Sequence, residues 1–382
     1  MPADLARLDD RVEAHIDGLR VADAPGWEIA RTALVEIGEP GEVFAAGVLA
    51  FESGSAERIH QVIEAGTATP EASRGLISAL GWLPYEQASK PIKALMAADE
   101  PAVRRVGIAA SAIHRRNPGP ALLSAFGADD RGLKARAYRA AGELELVDTH
   151  MALRANLKSK DPTVRFWAAW SNALLNGHKD AVAYLQNVAE AGGPFAERAA
   201  QMAMRRLSAN NAKIWLKRLV KDLGQKRIAV IAAGAFADPE AIPFLIDQMK
   251  APKLARVAGE SFSLITGANI AYEDLDGKKP EGFEAGPTEN PEDEKVAMDA
   301  DLNLAWPDPA LIQKWYNAWQ GNFAKGTRYL LGLPITPESL RQALKTGYQR
   351  QRAAAALELA ILKPGRPLFE VRAPGFRQQQ LM

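Results

Sequence analysis

The sequence predicts an all-α fold, a right-handed α-solenoid of about eight helical hairpins that ends in a small, mostly helical C-terminal cap. Alanine is frequent, at 70 of the 382 residues, which favours many closely packed helices. Small residues also recur about every thirty residues, each inside an apolar segment. These eight positions are Ala46, Gly75, Gly107, Ala137, Ala168, Ala199, Ala229 and Ala258.

Each repeat is predicted to be a helix, a turn and a second helix. The helix that carries the small residue, here called the anchor helix, follows a turn rich in Asp, Pro or Gly, such as Asp161-Pro162. Asp can cap a helix N-terminus, and Pro fits its first turn. The second helix has apolar residues at spacings of three and four, for example Ile242, Leu245 and Ile246. Because one hairpin cannot bury its own apolar face, stacked neighbours must form the core.

The repeat pattern divides the chain into four predicted regions. They are N-terminal capping helices at 1–40, the repeats at 41–267, an acidic loop or insert at 268–305 and an aromatic-rich helical cap at 306–382. Within the cap we predict a helix after Pro309, two further helices at Pro337–Thr346 and Gln349–Lys363, and an extended piece at Pro367–Pro374. The cap would end the exposed apolar edge of the repeats.

The charge of the chain is unevenly distributed. Residues 273–301, here called the acidic segment, contain eleven acidic and three basic residues, a net charge of −8, whereas the rest of the chain carries +9. Two interpretations stay open. The acidic segment could be a solvated linker, or it could fold over a basic face and screen it until a partner displaces it.

Overall composition excludes several classes of protein. The net charge of +1 does not indicate a chain that binds nucleic acid through its overall charge, and the lack of cysteine excludes disulfides, thiolate metal sites and Cys nucleophiles. The first twenty residues are acidic and contain no apolar block, so we expect no signal peptide. The longest apolar run, Ile228–Ala237, is too short to span a bilayer. We therefore predict a cytoplasmic protein with no membrane partner.

The pattern D-P-x-V-R-x-x-A-A at Asp161–Ala169, with a weaker copy at Asp99–Gly107, resembles the short HEAT-like repeats of phycobilin lyases. The resemblance covers roughly residues 40 to 265. In that family the helix bearing V-R-x-x-A lines the concave face of the solenoid. The resemblance therefore implies that the anchor helices line a groove.

Further motifs resemble a narrower bacterial family of HEAT-like proteins, which is encoded beside type VI secretion genes. The motifs are LARLDDRVEAHIDGLR near the N-terminus, ALGWLP at Ala79–Pro84, FWAAW at Phe166–Trp170, GGPFAERA at Gly192–Ala199, GESFSLITG at Gly259–Gly267, AYEDLDG, EAGPT and RQRAAAALELAILKPGRPLFEVRAP. This resemblance spans nearly the whole chain. It implies a setting in type VI secretion, without catalytic residues that could be transferred.

Motifs for catalysis and for cofactors are missing from the sequence. The five histidines are isolated, and there is no H-E-x-x-H, G-x-S-x-G, P-loop or G-x-G-x-x-G motif. Asp274–Gly277 is only a fragment of a calcium loop. We therefore predict no enzyme, no cofactor and no metal.

A recognition surface is predicted on the anchor helices instead. If each anchor helix is numbered so that its small residue is at position five, positions three, four, seven and eleven should face the groove. These positions are rich in Arg and Trp, the residues that dominate binding hot spots. The predicted partner-binding residues are Arg105, Arg136, Arg139, Trp167, Trp170, Arg198, Gln201, Arg205 and Arg227. In the structural alternative, the two tryptophans fill the interior and the arginines pair with Asp residues between the repeats.

These observations predict a non-enzymatic scaffold that binds a protein partner in its concave groove. With the resemblance, this becomes an immunity protein that neutralises a type VI effector, or an adaptor or chaperone that loads one. The alternative is a nucleic-acid-binding protein or a DNA glycosylase-like enzyme that uses the basic, Trp-containing groove. Such an enzyme needs a catalytic carboxylate, for which Glu143, Glu197 and Glu260 are the candidates.

Overall fold

The computed structural model describes residues 1–290, 292 and 296–381, and over these residues it confirms the all-α fold. Its helices are α1 (Pro2–Val21), α2 (Ala24–Glu36), α3 (Pro40–Ser53), α4 (Ala56–Ala68), α5 (Ala72–Trp82), α6 (Tyr85–Met96), α7 (Pro101–Ile113), α8 (Pro120–Phe126), α9 (Arg131–Glu143), α10 (His150–Ala155), α11 (Pro162–Asn176), α12 (Lys179–Ala191), α13 (Ala196–Arg206), α14 (Ala209–Lys221), α15 (Lys226–Phe236), α16 (Ile242–Gln248), α17 (Pro252–Thr266), α18 (Pro309–Trp319), α19 (Pro337–Thr346), α20 (Gln349–Leu362) and α21 (Gly375–Gln380). The right-handed solenoid stays a prediction. Part of the predicted acidic insert, namely Pro291, Asp293, Glu294 and Lys295, lies outside the described residues.

The chain forms two compact units. Unit 1 consists of Met1–Ala181 together with Ala360–Met382, and unit 2 consists of Val182–Leu359. These limits cut across the predicted regions, because the repeats at 41–267 are divided between the units. The C-terminal residues belong to unit 1 because α21 packs against α1.

Anchor helices pack side by side within each unit. In unit 1, α3, α5, α7, α9 and α11 each contact the next anchor helix, and α4, α6, α8 and α10 pack against them as hairpin partners. In unit 2, α13, α15 and α17 are arranged in the same way, with α14 and α16 as partners. Each unit is thus built from helical hairpins, as the thirty-residue spacing predicts.

The small anchor residues lie where neighbouring helices approach most closely. All six alanines among them are fully buried. A Cβ atom on Gly75 would lie 2.2 Å from the carbonyl oxygen of Pro40, and one on Gly107 would lie 2.7 Å from the backbone nitrogen of Met96. Larger side chains at these positions would therefore force the helices apart.

The turns before the anchor helices cap them in two of the predicted cases. The carboxylate of Asp130 accepts a hydrogen bond of 2.7 Å from the N–H of Leu133, and that of Asp161 accepts one of 2.8 Å from Val164. The Gly-Gly-Pro turn differs, because α13 begins at Ala196, beyond Phe195. Capping by Asp thus accounts for α9 and α11.

A short antiparallel ribbon precedes α19 in unit 2. Its strands are β1 (Tyr329–Leu330) and β2 (Leu333–Pro334), with Tyr329 opposite Pro334 and Leu330 opposite Leu333. The N–H of Tyr329 donates to the carbonyl of Ala237, at the end of α15. This bond fixes the start of the ribbon against an anchor helix. The predicted helices that follow match α19 and, within one residue, α20.

Across the described residues, no helix combines the length and the apolar character that a membrane span requires.

Candidate partner-binding faces

The predicted site residues are divided between two surfaces, one in each unit. The first face is the side of α7, α9 and α11 in unit 1 that carries Arg105, Arg136, Arg139, Trp167 and Trp170. The second face is the side of α13, α15 and α17 in unit 2 that carries Arg198, Gln201, Arg205, Arg227 and Arg256. Arg256 was also at a groove position in the sequence pattern.

The two tryptophans of the first face are buried in a small group of aromatic rings that pack edge-on. Trp167 is 7% and Trp170 is 5% exposed. The ring of Trp167 lies 5.0 Å from that of Phe166 and 5.6 Å from that of Trp170, and the Arg139 guanidinium lies 4.7 Å from its centroid. This group of rings therefore holds Arg139 in place by cation–π contact. Arg105, half-buried, donates to the hydroxyl of Ser73.

Glu143, at the end of α9, gathers the arginines of the first face. Its side chain is buried and accepts a hydrogen bond of 3.0 Å from Nη2 of Arg136 and one of 2.7 Å from Nε of Arg139. Burial alone would raise the pKa of Glu143, but the surrounding arginines outweigh burial and hold this pKa at about 2. The carboxylate is therefore ionised at neutral pH and cannot serve there as a general acid.

The C-terminal segment of the chain completes this group of charges. Arg372 lies 3.9 Å from Glu143 and 3.0 Å from Glu370, and Glu370 lies 3.3 Å from Arg115. The backbone of Leu368 is held as well, because its N–H donates to the carbonyl of Glu143. We call Arg115, Arg136, Arg139, Arg372, Glu143 and Glu370 the arginine–glutamate cluster.

Beyond the cluster, the chain end is fastened to α1 and α5. The backbone N–H of Gly375 donates to the buried carboxylate of Asp9, and the Arg377 guanidinium donates to the carbonyls of Trp82 and Leu83. The ring of Phe376 packs edge-on against Trp82. The first face thus binds an irregular stretch of the protein's own chain.

The second face binds the acidic segment through two arginines. Arg227 donates two hydrogen bonds to Asp301, of 2.6 and 3.1 Å, and one of 2.8 Å to Glu197. Arg256 donates to the Asp299 carboxylate at 2.5 Å and to the Asp301 carbonyl at 2.9 Å. The hydrogen bond to Asp301 raises the pKa of Arg227, so this guanidinium stays charged. Asp299 and Asp301 thus contact arginines on two neighbouring anchor helices, α15 and α17.

Aromatic rings flank the second of these arginines. The guanidinium of Arg256 lies 4.5 Å from the ring centroid of Trp306 and 5.6 Å from that of Phe283, and the residue is 6% exposed. Phe283 belongs to the acidic insert and precedes Asp299 in the chain, and Trp306 belongs to the cap and follows it. The arginine therefore packs against two aromatic rings, which lie edge-on to each other, while it donates to the carboxylate of Asp299.

The remaining predicted residues of the second face have different surroundings. Arg205 is buried and lies 3.0 Å from Glu358, which Arg328 also contacts. Gln201 is half-buried, and its carbonyl accepts a hydrogen bond from Arg205. Arg198 is exposed. The structure therefore brings Arg227 together with Arg256 but places Arg205 in a separate buried ion pair.

The three candidate carboxylates have different surroundings. Glu143 is bound by arginines, and Glu197 accepts a hydrogen bond from Arg227. Burial raises the pKa of Glu260, although nearby Arg350 opposes this shift. Within the part of the chain that the structure describes, no group of three or more His, Asp or Glu residues is placed to hold a metal ion.

Sequence reasoning missed the charged partners of the predicted arginines. Glu370, Arg372 and Arg115 were not singled out, and Asp299 and Asp301 were seen only as part of the acidic segment. The available signals were the charge division of −8 against +9 and the E-V-R charge pair near the C-terminus.

A comparison with models of known protein families and with curated protein sequences found no match for this chain.

Proposed function

We propose that the protein is a non-enzymatic scaffold that binds an acidic segment of a partner protein on its second face. The observation that carries this proposal is the binding of Asp299 and Asp301 by Arg227 and Arg256. On this face Arg227 donates two hydrogen bonds to Asp301, and Arg256, which packs against Trp306, donates one to Asp299. A partner with two acidic residues at the same spacing would make the same contacts.

The chemistry of the second face favours a protein ligand. A bidentate arginine–carboxylate pair fixes orientation as well as charge, and buried arginines beside aromatic rings are typical of interface hot spots. The chain's own segment competes with any partner, because a tethered ligand acts at an effective concentration on the order of millimolar. Weakly acidic proteins are thereby excluded, and a cognate partner must displace the segment.

The proposed setting follows from the sequence resemblance. We place the protein in the bacterial cytoplasm, beside the type VI secretion machinery, where it acts as an immunity protein or as an adaptor that delivers an effector. A non-enzymatic role is supported by Glu143 only to the extent that its pKa of about 2 keeps it ionised and prevents it from acting as a general acid near neutral pH.

Capture of the partner from a lysate of the native host tests this function. Immobilised wild-type protein is compared with the double variant Arg227→Gln, Arg256→Gln and with the control variant Arg218→Gln. Arg218 is 64% exposed and pairs with Glu190 on the same unit, so the control also removes a positive charge. We expect mass spectrometry to identify a protein that the wild type and the control retain and the double variant loses.

Two further outcomes separate the parts of the proposal. An excess of a synthetic peptide with the sequence of Val296–Ala305 should release the captured protein, because the peptide contains both aspartates. Capture that persists with the double variant, or that the peptide leaves unchanged, would contradict binding at the second face. A captured protein encoded away from type VI secretion genes would overturn the proposed setting.

A further inference from the structure

A cavity of about 600 Å³ opens in unit 1 between the N-terminal helix, the anchor helices and the C-terminal segment. Its volume lies within the range that small organic ligands occupy in proteins. Most of its wall is apolar, formed by Leu5, Val12, Phe44, Ile77, Gly81, Trp82, Ala109, Ile113, Ala373 and Pro374. An apolar ligand body would therefore be shielded from water here.

The polar part of the wall has a surplus of positive charge. Arg74, Arg136, Arg139 and Arg372 line the cavity, against only two carboxylates, Asp9 and Glu370. Adding the other members of the arginine–glutamate cluster, Arg115 and Glu143, leaves the surplus unchanged. The side chain of Arg136 is 13% exposed, whereas that of Arg372 is 58% exposed, so a bound anion would stabilise mainly Arg136.

Arg136 has hydrogen-bonding capacity that its surroundings do not use. Its Nη2 atom donates to Glu143, but its Nη1 atom is buried without an acceptor among the described residues. Burial, the largest influence, lowers the pKa of Arg136 to about 10 despite the nearby carboxylate of Glu143. A buried donor of this kind gains stability from an anionic acceptor.

The two carboxylates of the wall are already engaged. Asp9 accepts a hydrogen bond from the backbone of Gly375, and Glu370 accepts two from Arg372. Arg136 and Arg139 share the single carboxylate of Glu143, so the surplus charge is distributed over the arginine–glutamate cluster. Arg74 is exposed and forms no ion pair within the described part of the chain.

We propose that this cavity binds an organic carboxylate with an apolar body. The body packs against Phe44, Ile77 and Trp82, and the carboxylate accepts hydrogen bonds from Arg136. Two sources share this chemistry, a medium-chain fatty acid and the C-terminus of an apolar peptide. The site is independent of the second face, so its failure would leave the proposed function standing.

Titration of the intact protein with four probes, followed by calorimetry, tests the proposal. The probes are decanoate, its neutral counterpart decanol, acetyl-trileucine with a free carboxylate and the same peptide as its amide. We expect at least one acid to bind at least about tenfold more tightly than its neutral counterpart, because a charged hydrogen bond contributes more than a neutral one. Which acid binds identifies the source.

Two variants locate the binding. Arg136→Gln removes the donor and should weaken the acid at least about tenfold. Ser78→Phe fills the cavity from an exposed position outside the arginine–glutamate cluster, so it keeps the proposal testable if Arg136→Gln fails to fold. Gln87→Phe, at an exposed position on α6 that does not line the cavity, is the control and should bind like wild type.

The proposal is overturned by any of three results. The first is that neither acid binds, and the second is that each acid binds no better than its neutral counterpart. The third is that the folded Ser78→Phe variant binds the acid as tightly as Gln87→Phe does.

Discussion

Replacement of Glu143 by Gln should destabilise unit 1 strongly. Glu143 is 3% exposed and lies within 3.0 Å of Arg136 and Arg139 and 3.9 Å of Arg372. The variant keeps the volume of the side chain but removes the carboxylate that Arg136 and Arg139 contact, whereas Arg372 keeps Glu370. Breaking a buried ion pair by removing one partner costs about 3–5 kcal/mol, because the other charge stays buried.

The expected change is large enough to measure by thermal unfolding. For a unit of about 200 residues, each kcal/mol lowers the Tm by about 2–4 °C, so we expect a Tm lower by about 6–20 °C at neutral pH. Far-UV circular dichroism follows the helical content. The control is Glu28→Gln, since Glu28 forms an ion pair of 2.8 Å with Arg31 but is 58% exposed.

The control should melt with wild type, because solvent screens an exposed ion pair. A Glu143→Gln variant that melts within about 2 °C of wild type would show that the buried carboxylate does not stabilise unit 1. It would mean that Arg136 and Arg139 are stabilised without this carboxylate, and that the cluster does not organise the first face.

Three further predictions concern the pH dependence of the arginine–glutamate cluster, the close helix approach at Gly107 and the cap of α11. Arginines hold the pKa values of Glu143 and Glu370 below the usual 4.5. The stability that these two carboxylates give to the folded state is therefore complete above that pH and is lost as the pH falls toward about 2. Urea unfolding between about pH 7 and 3 should show a falling free energy of unfolding, and a flat profile would contradict this. Gly107→Ala should cost about 1–3 kcal/mol because its Cβ would overlap Met96, whereas Gly18→Ala, with open space around it, should stabilise α1 by about 0.5–1 kcal/mol; equal urea midpoints would exclude the close-approach explanation. Asp161→Ala removes the cap of α11 and should cost about 1 kcal/mol in the same assay, and an unchanged midpoint would show that the cap is dispensable.

The sequence was sufficient to predict the features that depend on local periodicity. Gly75 and Gly107 stand at the expected spacing, and each lies against the backbone of a neighbouring helix, α3 for Gly75 and α6 for Gly107. The bounds of α19 were also predictable, because Thr336 caps the helix and Pro337 opens it. Such features are encoded within a few residues of where they appear.

Long-range charge pairing could not be predicted in the same way. Glu143 meets Arg372, and Arg205 meets Glu358, across well over a hundred residues each. Periodicity places each arginine on a face of its helix but does not indicate which distant carboxylate will reach it. The acidic segment was an intermediate case, because its net charge left open whether it is a linker or covers a basic face, and it did not identify Arg227 and Arg256.

The central claim is that Arg227 and Arg256 recognise an acidic segment. Fluorescence anisotropy of the labelled Val296–Ala305 peptide tests it most directly, using protein in which Asp299→Asn and Asp301→Asn weaken the competing internal segment. We expect the peptide to bind this protein in a salt-sensitive manner and to bind wild type at least about tenfold more weakly. Replacement of both arginines by Gln should abolish peptide binding. Equal peptide affinity with and without the two arginines would contradict it.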